Sequence, residues 1–356
     1  MLKAERLDLL KIMKLITFTV PCYNSQDYMR HCIDNIVAAG EEVEVIIVND
    51  GSKDDTGKIA DEYEKKYPTI VKAIQKENGG HGSGVMAGIR NASGMFFKVV
   101  DSDDWVETKD ILDMLELIKK HEAEKEDIDL YITNYVYEHA ADNTQFVMHY
   151  RKCLPAEQIF AWENMKRVKL ETVFLMHSLM YRTSKLRESK MELPNHTFYV
   201  DDIYAYQPLP FMKKIFYRDI DLYHYFIGRA DQSVNYGTMC KRYEQQMRVF
   251  KIMFTAYTYD ELYKLPYHLR KYMVKWLMTI CGVTFMTIVG TKEDKEVRWK
   301  AFKEYFKELK SIDRKLYNKI RHRSLAAFAF AVPGYNLKSF ASRKVYGAYQ
   351  KKLKLG

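Results

Sequence analysis

From residue 13 to residue 100 the chain alternates between short apolar runs and helical segments. Four apolar runs, each ending at polar or turn-forming residues, lie at 15–20, 43–48, 71–75 and 95–100. The segment after Ser25 carries apolar residues at helical spacing, and helical segments also follow the second and third runs. Strands that alternate with helices build a parallel sheet flanked by helices. The sequence therefore predicts an α/β fold with a mostly parallel sheet.

Carboxylates follow the fourth apolar run directly, in the segment Asp101-Ser102-Asp103-Asp104-Trp105. A buried parallel strand delivers its C-terminal end to the crevice where α/β proteins bind ligands. Carboxylates placed there are hard oxygen ligands for a divalent cation that also holds phosphates. Asp101 and Asp103 both face the crevice if the loop turns between them. The alternative is an acidic turn that caps the helix near Thr108, since Asp and Ser are ordinary turn and N-cap residues.

Other polar segments also fall at predicted strand ends. They are Val-Pro-Cys-Tyr-Asn at 20–24, Val-Asn-Asp-Gly-Ser at 48–52 and Gly-Gly-His-Gly-Ser-Gly at 79–84. An acidic pair, Asp201-Asp202, stands later in the chain. Unrelated loops have no reason to fall on one edge of one sheet, so these segments predict a single site.

This arrangement resembles the inverting family 2 glycosyltransferases, and the likeness covers roughly residues 13–235. The resemblance implies a GT-A type, Rossmann-like fold. It also implies a metal-dependent hexosyl- or N-acetylhexosaminyl-transferase that moves a sugar from a nucleotide diphosphate donor, expected to be a UDP-sugar. The acceptor would be a saccharide, a polyol phosphate or a lipid-linked saccharide in cell-envelope or exopolysaccharide synthesis. Attack at the anomeric carbon would be in line, with no covalent enzyme intermediate.

By this resemblance Pro21 and Tyr23 line the base pocket, and Asp50 accepts a hydrogen bond from the base. Alternatives remain open, because Tyr23 also fits a core position and Asp50 also fits an Asx turn before a glycine. Further donor contacts are predicted at Asn78, Gly80, His81, Gly82, Ser83, Asp101 and Ser102.

The glycine-rich segment departs from the family pattern. Gly84-Val85-Met86 stands where the family has Ala-Arg-Asn, so the usual diphosphate-facing arginine is absent. Free backbone amides of Gly79, Gly80, Gly82 and Ser83 are expected to form an anion nest, with His81 as a further donor or a merely structural residue. A second phosphate contact is expected from the loop at 228–233, through Arg229, Gln232 and Ser233.

The resemblance also suggests the metal, the base and the acceptor side. Asp103, supported by Asp101, would hold Mn²⁺ or Mg²⁺ against the diphosphate. Asp202 is favoured as the general base with Asp201 orienting the acceptor, but the pair replaces the family's Glu-Asp, so the choice between them stays open. His177 and Trp105 are predicted on the acceptor side, although a satisfied core histidine fits His177 equally well.

A chain of 356 residues is long for one core, so we expect more than one part. The predicted parts are a short extension at 1–12, a nucleotide-sugar-binding half at 13–125, an acceptor-binding half at 126–236 and a helical region at 237–356. Within the acceptor half, strands are expected at 128–137 and 145–150, a helix at 156–166 and a strand pair at 214–227. The net charge of +9 concentrates in residues 241–356.

The basic C-terminal region suggests an anionic partner, and no nucleic-acid-binding motif accompanies it. Aromatic and aliphatic residues at 328, 330, 332, 335, 337 and 340 alternate there with basic ones such as Lys338. Contact with an anionic membrane and packing of the helical region onto the catalytic domain both fit this pattern.

Five scattered cysteines indicate a reducing setting, so we expect a cytoplasmic protein, with the inner face of the cell membrane as a further option. The apolar stretch Trp276–Gly290 falls short of the ~20 residues that cross a bilayer and predicts a buried helix. Two other functions remain as alternatives, a nucleotidyltransferase of related topology and a non-enzymatic protein that binds anionic surfaces.

Overall fold

A computed structural model describes residues 13–139, 143–166, 173–227, 236–291, 293–323 and 334–353. The chain divides into two compact units. Unit 1 comprises the described residues up to Lys166 and from Phe174 to Ile227, and unit 2 comprises Val173 and the described residues from Tyr236 onward. The extension predicted at 1–12 lies outside the described residues.

Unit 1 contains the predicted alternation of strands and helices. Its strands are β1 (Ile16–Cys22), β2 (Val43–Asp50), β3 (Val71–Lys76), β4 (Phe96–Val99), β5 (Trp105–Val106), β6 (Leu130–Ile132), β7 (Tyr135–His139), β8 (Thr144–Met148), β9 (Ile159–Phe160), β10 (Leu179–Arg182), β11 (Ile215–Tyr217) and β12 (Tyr223–Ile227). Its α-helices are α1 (Met29–Val37), α2 (Thr56–Lys66), α3 (His81–Asn91), α4 (Thr108–Ala123), α5 (Thr183–Glu188) and α6 (Asp201–Tyr206).

The larger sheet has eight strands in the order β3-β2-β1-β4-β10-β6-β11-β9. Strands β3, β2, β1 and β4 are parallel, whereas β10 runs antiparallel to both of its neighbours. Every residue of β1 is buried, as expected for a central strand covered on both faces. The prediction of a mostly parallel sheet flanked by helices is confirmed.

Helix α3 lies close against β1 because a glycine stands at the contact. A β-carbon at Gly88 would overlap the side chain of Thr19 in β1. At the other end of the contact, a β-carbon at Gly84 would reach the side chain of Pro21 at 3.0 Å. This approach brings the N-terminus of α3, where His81 lies, to the C-terminal end of β1.

A second sheet of four strands, in the order β5-β12-β7-β8, corrects two predictions. The single strand expected at 128–137 is two strands in different sheets, because the chain breaks its pairing at Thr133 and Asn134. The amide of Thr133 donates to Ser178 at 2.9 Å and that of Asn134 to Ile220 at 3.0 Å. The strand pair expected at 214–227 is likewise split, with β11 in the larger sheet and β12 in the smaller one.

The helix predicted at 156–166 is wrong. The segment forms β9, which pairs antiparallel with β11, and a single 3₁₀ turn at Trp162–Asn164. The indole Nε1 of Trp162 donates to the carbonyl of Met212 at 2.6 Å. Tertiary pairing therefore overrides the local helical pattern here.

Unit 2 is helical in its described part, as predicted. Its helices are α7 (Tyr236–Lys241), α8 (Tyr243–Thr255), α9 (Tyr259–Lys264), α10 (Tyr267–Val289), α11 (Lys295–Ile312), α12 (Arg314–Arg323) and α13 (Tyr335–Leu353). Among the described residues, α10 alone is long and apolar enough to span a bilayer, and 72% of its most apolar window is buried. The buried helix predicted at 276–290 thus begins earlier than expected, and a mostly buried core helix passes the same length test.

The C-terminal aromatic and basic residues are divided between the interior and the surface. Tyr335 is buried and donates to the carbonyl of Thr291 at 2.7 Å. Lys338, predicted as part of a basic flank, is buried over the ring of Phe302 at 5.8 Å. Leu337 and Phe340 are both 54% exposed, and positions 328, 330 and 332 lie outside the described residues. Tyr335 and Lys338 therefore pack within unit 2, and the membrane contact and the packing onto the catalytic domain both stay predictions.

Strand β4 buries a lysine in an otherwise apolar run. Lys98 is fully buried, and its Nζ donates to the carbonyl of His177 at 2.5 Å. The ammonium also lies 5.2 Å from the centre of the Tyr223 ring. Burial lowers the pKa of Lys98 to about 7.

We predict that Lys98 makes the stability of the protein depend on pH in the alkaline range. The pKa is about 7 in the folded chain and roughly 10.4 in the unfolded chain, so the unfolded chain binds more protons between these values. Stability should therefore rise with pH in this window, by on the order of 3 kcal/mol between about pH 7 and pH 9.5. Lys98→Met should lack this rise. Urea unfolding of both proteins at the two pH values measures it, and pH dependences that run parallel would contradict the assignment.

Candidate active site

The C-terminal ends of three parallel strands meet at one edge of the larger sheet. Strand β1 pairs with β2 on one side and with β4 on the other. The loops beyond these strands touch, since the hydroxyls of Ser25 and Ser102 lie 2.8 Å apart. The structure thus brings together the segments after β1, β2 and β4 that the sequence predicts as one site.

The loop after β1 presents an aromatic ring to solvent. Tyr23 is 52% exposed, which excludes a core position, while Pro21 is buried. The loop is fixed from the neighbouring strand, because the amide of Asn24 donates to Ser52 at 2.9 Å and that of Ser25 to Thr56 at 2.7 Å. The ring of Tyr23 is therefore held on a rigid loop with a face available for stacking.

Asp50, at the end of β2, is surrounded by hydrogen-bond donors. Its carboxylate accepts hydrogen bonds from the amides of Gly79 at 3.0 Å and Gly80 at 2.7 Å, and it forms an ion pair with Lys76. The Asx turn in this loop is made by Asn49 instead, whose Oδ1 accepts from the amide of Ser52 at 3.1 Å. Asp50 is therefore a buried acceptor oriented by its surroundings.

The glycine-rich segment is not the open loop that the sequence suggests. Helix α3 begins at His81, so Gly82 and Ser83 lie in its first turn, and Gly80 is its N-cap with φ of 82°. The amides of Gly79 and Gly80 already donate to Asp50, and that of Ser83 donates to the carbonyl of Gly80 at 2.9 Å. The prediction of free amides is thereby corrected for Gly79, Gly80 and Ser83. Asn78 supports the segment by donating to the carbonyl of Asp50 at 2.8 Å.

The chain turns sharply after β4, and Tyr223 fixes the turn. The phenol oxygen of Tyr223 accepts from the amide of Asp101 at 3.2 Å and donates to the carboxylate of Asp104 at 2.5 Å. Asp104 also accepts from the amide of Phe226 at 2.9 Å. Burial, reinforced by the neighbouring carboxylates of Asp103 and Asp101, raises the pKa of Asp104 well above its usual range. Asp104 is thus a structural residue of the turn.

His81 and Asp101 form a pair at the centre of the site. The imidazole Nε2 of His81 lies 2.7 Å from Oδ1 of Asp101. Burial alone would lower the pKa of His81, but the carboxylates of Asp101, Asp201 and Asp103 raise it above its ordinary value. Burial would raise the pKa of Asp101, but His81 lowers it below its ordinary value. Both shifts favour an imidazolium–carboxylate pair.

The acidic pair lies at the start of α6, and Asp201 belongs electrostatically to the same cluster. Burial raises the pKa of Asp201; His81 opposes this shift and Asp101 adds to it. The amide of Asp202 donates to the carbonyl of Tyr199 at 3.4 Å. Asp201 at the start of α6 therefore interacts electrostatically with the carboxylate of Asp101 after β4, and the roles predicted for Asp201 and Asp202 stay predictions.

Within the described part of the chain, no three His, Cys, Asp or Glu residues converge as a complete metal-ligand cluster. The donor set nevertheless fits Mg²⁺ or Mn²⁺. Such hard ions are often bound by one or two protein carboxylates, with phosphate oxygens and water as the remaining ligands. Asp101 and Asp103 supply two carboxylates in one turn, and neither is buried to the degree of Asp104.

The predicted acceptor residues differ in position. His177 is buried in the 3₁₀ turn Met176–Ser178 that precedes β10, stacked parallel on Tyr223 with ring centres 4.7 Å apart. Burial lowers its pKa to about 4, and its Nδ1 has no hydrogen-bond partner within the described part of the chain.

Trp105 instead stacks on His224, with ring centres 5.1 Å apart, and its indole N–H donates to Glu107 at 3.1 Å. It lies on the face of the smaller sheet opposite Tyr223. The predicted acceptor contact of Trp105 does not fit this position.

Sequence reasoning missed Lys76, Lys98 and Tyr223. A lysine within the run Phe-Phe-Lys-Val-Val was a visible signal for Lys98, since a buried strand rarely carries one. The bridging role of Tyr223 had no local signal. Arg229, Gln232 and Ser233, the predicted late-loop contacts, lie outside the described residues.

Comparisons with known proteins agree with this geometry. Residues 17–187 match the family model described as Glycosyl transferase family 2. The chain is 26% identical over 229 residues to glycosyltransferase GlyA of Streptococcus pneumoniae, covering 61% of this chain and 31% of that protein. It is 28% identical over 179 residues to glycosyltransferase GlyG of the same organism, covering 50% of this chain and 58% of that protein. The chain thus spans less than two thirds of the length of either relative.

Among solved structures, the chain resembles S. aureus TarS 1–349 in complex with UDP-GlcNAc. The TM-score is 0.59 at 17% identity, covering 95% of this chain and 92% of that one. At this identity the likeness concerns the fold, which is the GT-A type. Residues 17–187 therefore form a family 2 glycosyltransferase domain of GT-A type.

Proposed function

We propose that the protein is a metal-dependent, inverting glycosyltransferase that transfers a sugar from a nucleotide diphosphate donor to a saccharide. The observation that carries the proposal is the cluster of Asp101, His81 and Asp201 at the sheet edge where Tyr23 and Asp50 also lie. A family 2 domain supports the reaction class, and the cluster combines a carboxylate from the turn after β4 with one from the start of α6.

The donor base is proposed to lie against Tyr23. The exposed phenol ring offers a stacking face, and Pro21 forms the floor beside it. Asp50 offers a fixed acceptor and Lys76 an adjacent donor, which matches the N–H and carbonyl that uracil presents side by side. The complex of the structurally similar TarS with UDP-GlcNAc supports a UDP-sugar as the first donor to test.

Asp101 and Asp103 are proposed to hold Mn²⁺ or Mg²⁺, which when bound neutralises charge on the leaving diphosphate. His81 takes the place of the missing arginine as a cationic donor beside the diphosphate. Its pKa is raised by the surrounding carboxylates, which keeps the imidazolium form populated. Asp104 and Tyr223 hold the turn in shape without contacting the donor.

Asp202 is proposed to remove the proton from the acceptor hydroxyl as the sugar is transferred. The electrostatic interaction of Asp201 with His81 and Asp101 supports a role on the donor side for Asp201, and so supports Asp202 as the base. His177 stays neutral at physiological pH and is proposed to hydrogen-bond the acceptor.

The names of GlyA and GlyG support a role in saccharide assembly. A cytoplasmic location at the cell membrane stays a prediction.

We predict that turnover requires both the metal and Asp103. UDP-, GDP- and dTDP-sugars are screened for release of the nucleotide diphosphate, with and without saccharide acceptors, in Mn²⁺ or in excess chelator. Wild type should turn over a UDP-sugar only with metal. Asp103→Ala should lose turnover by about 10²-fold or more while its thermal unfolding is unchanged.

Asp127→Ala is the matched control, because Asp127 is an exposed carboxylate after α4. It should retain full turnover. Turnover of Asp103→Ala in excess chelator that equals the turnover of wild type in Mn²⁺ would contradict metal dependence. If the wild-type protein neither hydrolyses a nucleotide sugar nor binds a nucleotide, the proposed function is contradicted.

We also predict that Asp202→Asn loses transfer while it still binds UDP. Removing a general base typically costs ~10²–10⁴-fold in rate. Asp201→Asn should be milder, because its proposed role is to orient. Transfer rates and UDP calorimetry on both variants measure this. An inactive Asp201→Asn beside an active Asp202→Asn would move the base to Asp201.

A further inference from the structure

Three aromatic rings form a continuous row across the smaller sheet. Phe146 in β8 pairs directly with Tyr137 in β7, and Tyr137 pairs directly with Tyr225 in β12. Ring centres are 6.3 Å apart in the first pair and 5.6 Å apart in the second. Residues in register on neighbouring strands share a face, so the three rings, here called the aromatic row, lie side by side.

The aromatic row begins at the candidate active site. The rings of Tyr225 and His177 are 4.4 Å apart, and His177 stacks on Tyr223, which holds the turn of Asp101. Burial raises the pKa of Tyr225, and the carboxylates of Asp104, Asp101 and Asp201 raise it further. Tyr225 is therefore next to the catalytic carboxylates, and Phe146 is at the far end of the row.

The row becomes more exposed with distance from the site. Tyr225 and Tyr137 are half-buried, and Phe146 is 43% exposed. The aromatic row shares its face with Tyr135 and Tyr223, which are buried. On the opposite face, Glu138 and His224 bond to each other at 2.6 Å with side chains 15% and 13% exposed. Phe146 is therefore the most accessible member of the row.

We propose that the aromatic row is a binding subsite for a sugar ring of a saccharide acceptor, a proposal that rests on the proposed function. The C–H groups on the flat face of a pyranose carry partial positive charge and stack on the negative face of an aromatic ring. The phenol groups of Tyr137 and Tyr225 offer hydrogen bonds to hydroxyls at the sugar's edge.

The chemistry of the row selects a saccharide over a polyol phosphate. The three rings carry no formal charge, and strands β7, β8 and β12 contain no Lys or Arg to bind a phosphate. A chain of sugars that extends from the reacting hydroxyl near His177 would lie along the row, with a more distant ring on Phe146.

Saturation-transfer NMR on the full-length protein tests the subsite. The probes are methyl β-glucoside, methyl β-galactoside and methyl N-acetyl-β-glucosaminide, with glycerol 3-phosphate as the polyol phosphate. Saturation of aromatic protons should reach the ring protons of at least one glycoside and not glycerol phosphate. Tyr137→Ala and Phe146→Ala should each weaken that binding by about fivefold, the magnitude expected for one aromatic contact.

Two variants in the same strand serve as controls. Phe146→Tyr keeps the ring and should bind as wild type does. Gln145→Ala changes a neighbouring side chain on the opposite face and should also bind normally. Glycoside binding that is unchanged in both alanine variants, or binding of glycerol phosphate alone, would overturn the proposal.

Calorimetry with UDP and Mn²⁺ on the same samples separates this proposal from the proposed function. UDP binding without any glycoside binding would reject the subsite and leave the glycosyltransferase assignment standing. If the wild-type protein does not bind UDP, the proposed function itself is contradicted. The alanine variants should bind UDP as wild type does, because the row does not contact the donor.

Discussion

The phenol group of Tyr223 is the contact on which the candidate site depends. It joins the end of β4 in the larger sheet to β12 in the smaller sheet by accepting from the amide of Asp101 and donating to Asp104. These bonds bury Asp104 and turn the chain, so that Asp101 and Asp103 lie at the cleft instead of in a solvated loop. Burial raises the pKa of Asp104 and so favours its neutral form, and a hydrogen bond between neutral groups contributes roughly 0.5–1.5 kcal/mol. The two sheets and the carboxylates are therefore fixed by one side chain.

Charged groups divide the proposed donor site into two ends. Two of the amides expected to bind the diphosphate, those of Gly79 and Gly80, instead donate to Asp50, with Lys76 as its ion-pair partner. Cationic character near the metal carboxylates comes from His81, which is paired with Asp101. The proposed donor site thus separates into a base end ordered around Asp50 and a phosphate end ordered around Asp101. This division explains how the domain dispenses with an arginine at position 85.

Much of the fold could be predicted because its signals are local. The runs that became β1 to β4 are apolar and bounded by turn residues, and their parallel pairing puts their ends on one edge. The split of residues 128–137 between two sheets could not be predicted, since it depends on partners as distant as Ser178 and Ile220. The aromatic row was equally hidden, because its three rings come from strands that meet only in the folded chain. The local sequence pattern was enough to identify the acidic residues. Their arrangement in the site depends on contacts between distant strands, which the sequence does not reveal.

The most direct measurement is anomalous diffraction from crystals of the protein grown with UDP and Mn²⁺. We expect a manganese peak within about 2.5 Å of carboxylate oxygens of Asp101 and Asp103, shared with the diphosphate. The uracil ring should stack on Tyr23 with an edge toward Asp50. A manganese peak away from both carboxylates, or a nucleotide bound elsewhere in unit 1, would contradict the assignment of this sheet edge as the donor site.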